Sequence, residues 1–316
     1  MSNSAIPGRD PLRVLITGGR GFIGRQLARR LEGRGELLGR RLTEISIFDL
    51  PDGDVAEPAA VASAMTGVSV VFHLASMVSG ECERNFDAAL RTNLDGTRNV
   101  LEACRASSAT PRLVFASTFA VFGGSAMPET ISDSTKLVPQ TTYGITKAAG
   151  ELLVNEYSRK GFVDGRSGRL PTVIVRPGPP NAAASSFASA VIREPLAGQD
   201  YRLPVDLDMC MPVIGERAVV DCLIELAELD SDAIGDDRAI NLPSITVTPR
   251  QLVETLHVLA GDRPLGRISV EPDPMIEAIV RTWATRANSD RARALGLPAA
   301  HGLESIIGDY LRIWVD

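Results

Sequence analysis

The chain has 316 residues, 44% of them hydrophobic and 23% charged, ordinary globular chemistry with enough apolar material for a large core. Its net charge of −6 gives no basic field for nucleic acid, and the arginine groups Arg29-Arg30 and Arg40-Arg41 sit among acidic residues as solvated helix faces do. No stretch approaches the roughly 20 apolar residues of a membrane span, and MSNSAIPGRD lacks the basic-then-apolar order of a secretory signal. Cys82, Cys104, Cys210 and Cys222 form no C-x-x-C pair and have only His73, His257 and His301 beside them. That argues against zinc and for reduced thiols in a cytoplasmic protein.

In chain order, a strand is expected over 13–17, followed at once by "TGGRGFIG" and a helix over 22–32. A strand that runs into glycines and then a helix can hold a pyrophosphate on the helix N-terminal N–H groups. Gly18 can take the positive φ of the turn, Gly21 lets phosphate approach, and Gly24 lets the helix lie close on the strand. The second strand, 44–48, ends at Asp49, 25 positions after Gly24, where a carboxylate can accept the hydroxyls of an adenosine ribose. Asp49 would repel a 2′-phosphate, which points to NAD over NADP. Arg20 points the other way, as a loop cation or as a solvated arginine.

A helix over 59–65, a strand over 68–74, a long helix over 88–105 and a strand over 112–117 follow, then a helix over 143–160 and a strand over 172–176. This alternation predicts a doubly wound parallel Rossmann sheet with helices on both faces. "PGPPNAAASS" leads out of it. Helices over 188–194, 217–229, 249–260, 275–283 and 303–313 follow, with one strand over 238–242, and the C-terminal substrate-binding part is smaller and mostly helical. We expect a dinucleotide-binding domain over 1–178, with a return segment near 212–242. A substrate-binding domain then takes 179–211 and 243–316.

"YGITK" sets Tyr143 and Lys147 four apart on one helix face. A free phenol titrates near 10, too high for a base at neutral pH, and an adjacent ammonium lowers it. "FASTFAVFG" adds the hydroxyls of Ser117 and Thr118 where a strand ends, in reach of a substrate oxygen.

Taken in order, Gly18/Gly21/Gly24, Asp49, "FHLAS", "TNLDGTRNVLEA", the Ser-Thr element and Tyr143/Lys147 resemble the extended short-chain dehydrogenase/reductases, the superfamily of nucleotide-sugar epimerases and dehydratases. The resemblance is firm over residues 12 to about 178. It implies Thr118, three before Val121, as hydroxyl orienter, Tyr143 as acid/base, and Lys147 as ribose contact and pKa tuner. Asn93 would support the Lys147 proton path, or act only as a helix-surface or capping residue. The NAD contour implied runs through Gly18, Arg20, Gly21, Phe22, Ile23 and Gly24, then Asp49 and Asp54. It continues through Leu74, Ala75, Ser76, Asn93, Ser117 and Pro177 to Tyr143 and Lys147.

Where nucleotide-sugar enzymes carry an arginine for the diphosphate, alignment puts Met209, which argues for a smaller substrate. "HLASMVSGECERNFD" and "RPGPPNAAASSFASAVIREPLAGQ" are similar to a narrower group, the D-erythronate dehydrogenases, which oxidise the C2 hydroxyl of a sugar acid with NAD. That implies Ser79, Asn181 and Ser185 on substrate hydroxyls beside Thr118 and Tyr143, and Arg193 on the carboxylate. Otherwise Arg193 pairs with a neighbouring acidic residue. A sugar or nucleotide-sugar epimerase, dehydratase or reductase, and a non-catalytic dinucleotide sensor, are the competing readings. A homodimer through the helices near 88–105 and 143–160 is the family expectation.

Overall fold

A computed structural model describes residues 12–179, 183–299 and 301–315. Its centre is a seven-stranded sheet in the order Ala239–Asn241, Asp164–Leu170, Arg112–Thr118, Val70–His73, Leu12–Thr17, Arg40–Phe48, Glu36–Leu37. Only the two-residue edge strand Glu36–Leu37 runs antiparallel. The central strands are apolar runs because both faces of a parallel sheet are covered. Alternate residues go to opposite layers. Leu12, Val14 and Ile16 join Leu27, Leu31 and Leu223 on one face. Leu15, Val71, Leu113 and Phe115 join Val61, Leu101 and Val154 on the other.

The first described strand, Leu12–Thr17, lies inside this sheet between Val70–His73 and Arg40–Phe48. Helix Phe22–Arg34 returns the chain over one face, whereas Val70–His73 leads to helices Ser79–Arg84 and Gly96–Arg105 on the other. Neighbouring loops diverge there, opening a crevice at the carboxyl ends of the two strands. A polar chain crosses beneath it. The Ala75 N–H donates to Thr17 Oγ1 (3.3 Å), and Thr17 Oγ1 meets His73 Nδ1 at 2.7 Å. His73 Nε2 meets Thr97 Oγ1 at 3.1 Å, and Thr97 Oγ1 donates to the Asn93 carbonyl (2.6 Å). Burial, with the Lys147 charge nearby, pushes His73 down to about 3. The imidazole is therefore neutral, accepting at Nδ1 and donating at Nε2.

The structure differs from expectation at several elements: the second strand is longer, Arg40–Phe48, the helix expected over 275–283 ends at Val280, and three further differences bear on the site. Asp164–Leu170, "DGRSGRL", is a buried strand of the main sheet although most of it is glycine or charge. Its arginines are partnered: Arg166 meets Asp164, and Arg169 grips Glu151 with Nε and Nη2. The run at 172–176 is a strand only over Thr172–Ile174 and lies outside the main sheet. It forms a second sheet beside Met211–Gly215, parallel, with Ile245–Val247 antiparallel on the far side. The helix expected at 88–105 is divided: a π-helical turn over Leu90–Asp95 separates Phe86–Ala89 from Gly96–Arg105. Such turns are frequent at functional sites, and this one carries Asn93.

A second core gathers Val191, Leu203, Met211, Val213, Leu252 and Ile307. Helices Phe187–Leu196, Pro249–Ala260 and Leu303–Trp314 enclose it. Among the described residues, no helix is long and apolar enough to cross a membrane. No group of His, Cys, Asp and Glu among them could hold a metal.

Candidate active site

A cavity of about 800 Å³ runs from the glycine loop to the segment at 279–284. That size is ordinary for a cofactor or ligand site. At its first end Gly18 has φ +69°, and a methyl group there would lie 2.6 Å from the Ala75 nitrogen. A methyl on Gly24 would lie 2.5 Å from the Gly18 carbonyl oxygen. No side chain fits at either position, so the loop presents bare backbone to the cavity. Helix Phe22–Arg34 has no acidic residue in its first turn, which leaves its positive end for a ligand anion.

Asp49 is oriented by the loop itself. Its Oδ2 accepts the Arg20 N–H (2.9 Å) and its Oδ1 the Leu50 N–H (2.9 Å). The Arg20 guanidinium turns away to Asp52, with Nε donating at 3.0 Å. Arg20 does not line the cavity, and its side chain reads as a loop ion pair rather than a phosphate ligand. Gly18, Gly21, Phe22, Ile23, Gly24, Asp49, Asp54, Leu74, Ala75, Ser76 and Ser117 do line it. This contour fits a dinucleotide.

Pro177 and Asn93 stand apart from the lining. Asn93 is buried behind it. Its Oδ1 accepts the Met77 N–H (2.8 Å), and its Nδ2 donates to the Met77 carbonyl (3.2 Å) and Thr146 Oγ1 (3.3 Å). The π-helical turn thus clamps the 74–78 loop to the helix bearing Tyr143.

Helix Thr142–Arg159 begins under a Thr141 cap, Oγ1 accepting the Gly144 N–H (3.0 Å), while Glu83 Oε1 accepts the Thr142 N–H (2.7 Å). Both fix the turn that presents Tyr143. Tyr143, Lys147 and Thr118 share the cavity wall. Lys147 Nζ donates to the Ala116 carbonyl (2.8 Å) and stands 5.7 Å from the Tyr143 ring centre. Burial pushes the Tyr143 phenol up to about 12, opposed by the Thr118 hydroxyl. Burial pushes Lys147 down to about 8, opposed by the nearby Cys82 and Glu151. Burial thus outweighs the lowering expected from the adjacent ammonium, and the phenol stands above its ordinary value. Ser117 is turned inward, donating to Glu151, and belongs to the support of the site.

At the far end Ser79, Ser185 and Arg193 line the cavity. Asn181 lies outside the described residues. All three Arg193 guanidinium nitrogens are engaged: Nε (3.0 Å) and Nη2 donate to Glu194 and Nη1 donates to the Arg176 carbonyl (2.9 Å), which is the pairing with a neighbouring acidic residue named above as the alternative. Met209 packs against the second core and is absent from the lining, so that position neither supplies nor denies a phosphate cation. Sequence reasoning missed Arg176 and Trp283, both on the wall. Arg176 follows directly on a strand end, the side where sheet proteins hold ligands, but the strand was assigned to the wrong sheet. Trp283 is one of two tryptophans, in a segment read only as helix.

The profile of the NAD dependent epimerase/dehydratase family matches residues 14–238. A D-erythronate dehydrogenase of Cupriavidus necator is 43% identical over 318 residues, covering 95% of this chain and 98% of that one. A D-erythronate dehydrogenase of Haemophilus influenzae is 38% identical, covering 95% and 99%. A solved structure described as the nucleoside-diphosphate-sugar epimerase from Agrobacterium tumefaciens superposes with a TM-score of 0.91 at 35% identity. It covers 100% of this chain and 98% of its own.

Proposed function

The chain belongs to the NAD dependent epimerase/dehydratase family, and from that premise we propose that it oxidises the C2 hydroxyl of a small sugar acid, D-erythronate or a close four- to six-carbon relative, using NAD. The observation that carries the reading is the meeting of Thr118, Tyr143 and Lys147 on one wall of a cavity whose other end is a glycine cradle. The similarity to two proteins named D-erythronate dehydrogenase supports the choice of acid.

A nicotinamide held against Lys147 would supply the acceptor for the hydrogen and electron pair leaving C2. The chain does the rest. Thr118 donates a hydrogen bond that aligns the substrate oxygen, and Tyr143 as phenolate removes the hydroxyl proton. The Lys147 ammonium, fixed on the Ala116 carbonyl, stabilises that phenolate and anchors the nicotinamide ribose. The product is a 2-oxo acid. Arg193, already paired with Glu194, would meet the carboxylate only through the second hydrogens of Nη1 and Nη2, beside hydroxyl contacts from Ser79, Ser185 and Asn181. Asp49, tethered by the loop, disfavours a 2′-phosphate, and Arg20 is occupied by Asp52, which together support NAD over NADP.

We read the active form as a homodimer. Ile145 and Leu152, seven apart on helix Thr142–Arg159, are 52% and 66% exposed, and Phe86 is 57% exposed. An apolar stripe of this kind suits a second copy. Four free cysteines, three of them buried, support a cytoplasmic location.

The competing reading, a nucleotide-sugar enzyme, is favoured by the Agrobacterium tumefaciens likeness. One assay separates the two. NADH should appear with D-erythronate or its four- to six-carbon relatives, and UDP-glucose and UDP-galactose should be unchanged. If a UDP-sugar raises the melting temperature and no sugar acid does, the substrate assignment fails while fold and cofactor class stand.

A further inference from the structure

The catalytic end of the cavity is closed by a segment remote in sequence, and its contacts define what lies beyond the reacting carbon. Helix Pro274–Val280 ends in a turn in which Thr282 Oγ1 donates to the Ile279 carbonyl (2.7 Å) and the Trp283 N–H to the Val280 carbonyl (3.1 Å). Ala284 is buried in one cluster with Phe119, Phe122 and Ala148, the immediate neighbours of Thr118 and Lys147. On the opposite side the Trp283 indole lies on the Phe187 ring, centroids 6.5 Å apart and planes 11° from parallel. Phe187 is itself buried at the start of helix Phe187–Leu196. The indole therefore stands against the second core and the helix that carries Arg193, one residue before the Ala284 that packs beside the catalytic strand end.

We infer that Trp283 sets the chain length of the acid: its indole, stacked on Phe187, is the stop against which the carbon tail of the substrate ends. The inference rests on the sugar-acid reading above. Arg193 is six residues beyond Phe187 on one helix, which separates the two by about 9 Å along the axis. A carboxylate belongs at the cation, and an indole offers it nothing, so the tail must point the other way. Each added carbon lengthens an extended chain by roughly 1.3 Å. Two carbons more than a four-carbon acid therefore need about 2.6 Å, which a stacked ring cannot yield without leaving its partner. Thr282 and Ser185, both on the wall, remain to accept hydrogen bonds from the terminal hydroxyls.

The test uses D-erythronate, D-ribonate and D-allonate, acids of four, five and six carbons with the same configuration at C2. In W283A the ratio of kcat/KM for D-allonate to that for D-erythronate should rise about 10-fold or more, the scale on which apolar pockets sort substrates by size. W283F, which keeps a ring on Phe187, should stay within about threefold of wild type. W283L serves if W283A does not fold. Binding of NAD, measured by fluorescence titration, certifies whichever variant is read. An unchanged ratio in a variant that binds NAD normally overturns the assignment of Trp283. If the wild type reduces no NAD with any of the three acids, the sugar-acid reading itself fails, and the stop assignment falls with it.

Discussion

Glu151→Leu should destabilise the protein sharply, although it touches neither cofactor nor substrate. Glu151 and Arg169 are 2% and 4% exposed, joined through Nε and Nη2, with Ser117 Oγ donating to the same carboxylate. Removing the acid leaves a buried guanidinium hydrogen-bonded to the Asp133 carbonyl and the Asn241 amide oxygen and lying over the Phe122 ring. Breaking a buried pair in this way costs about 3–5 kcal/mol. An unfolding entropy of ~2.1 cal/mol/K per residue over 316 residues is about 0.66 kcal/mol/K, so Tm should fall by about 5–8 °C. Arg169→Met should cost as much, because it strands the carboxylate. The double variant strands only neutral groups at about 1 kcal/mol each, and its Tm should resemble either single variant. Thermal denaturation followed by circular dichroism reads all four proteins. Tm losses that simply add in the double variant would show that the two residues are not coupled, and the reasoning would be refuted.

Tyr143→Phe should bind NAD and melt like the parent while kcat falls about 10²- to 10⁴-fold, the usual worth of an acid–base group; retention of a tenth of the rate would remove Tyr143 from that role. Asp49→Ala should narrow the NAD preference by weakening NAD and relieving repulsion of a 2′-phosphate. Wild-type kcat/KM values equal for NAD and NADP would show that another group governs that pocket. The pH profile follows from Tyr143, pushed up to about 12, and Lys147, pushed down to about 8. Phenolate beside ammonium holds one proton fewer than the resting pair, so kcat/KM for oxidation should climb about tenfold per pH unit below ~8 and flatten above. A profile already flat at pH 6 would assign the base elsewhere.

Chemistry concentrated in short stretches is legible in the amino-acid sequence. The glycine loop, Asp49 and Tyr143/Lys147 each depend on local spacing, and the residues so identified meet at one cavity. Strands with continuous apolar runs are equally plain. Asp164–Leu170 is not, because Arg169 finds its partners on a helix and a loop distant in sequence, and hydrophobic pattern cannot register a paired charge. The division of the 88–105 helix leaves no trace in composition, since a π turn changes hydrogen-bond register and not residue type. The substrate end is least legible. Its wall joins Ser79, Ser185 and Trp283 from three separate segments.

The hydrogen-bonded row from Ala75 through Thr17, His73 and Thr97 to Asn93 has a single sense. It begins on a backbone N–H, which can only give, and ends on a carbonyl, which can only receive, so each hydroxyl between them has its orientation dictated. Nothing in the row is free to rotate, and its one titratable member stays uncharged until about pH 3. The floor beneath the cofactor crevice therefore behaves as a constant dipole over the working range of the protein. His73 then contributes nothing to rate changes with acidity above about pH 3.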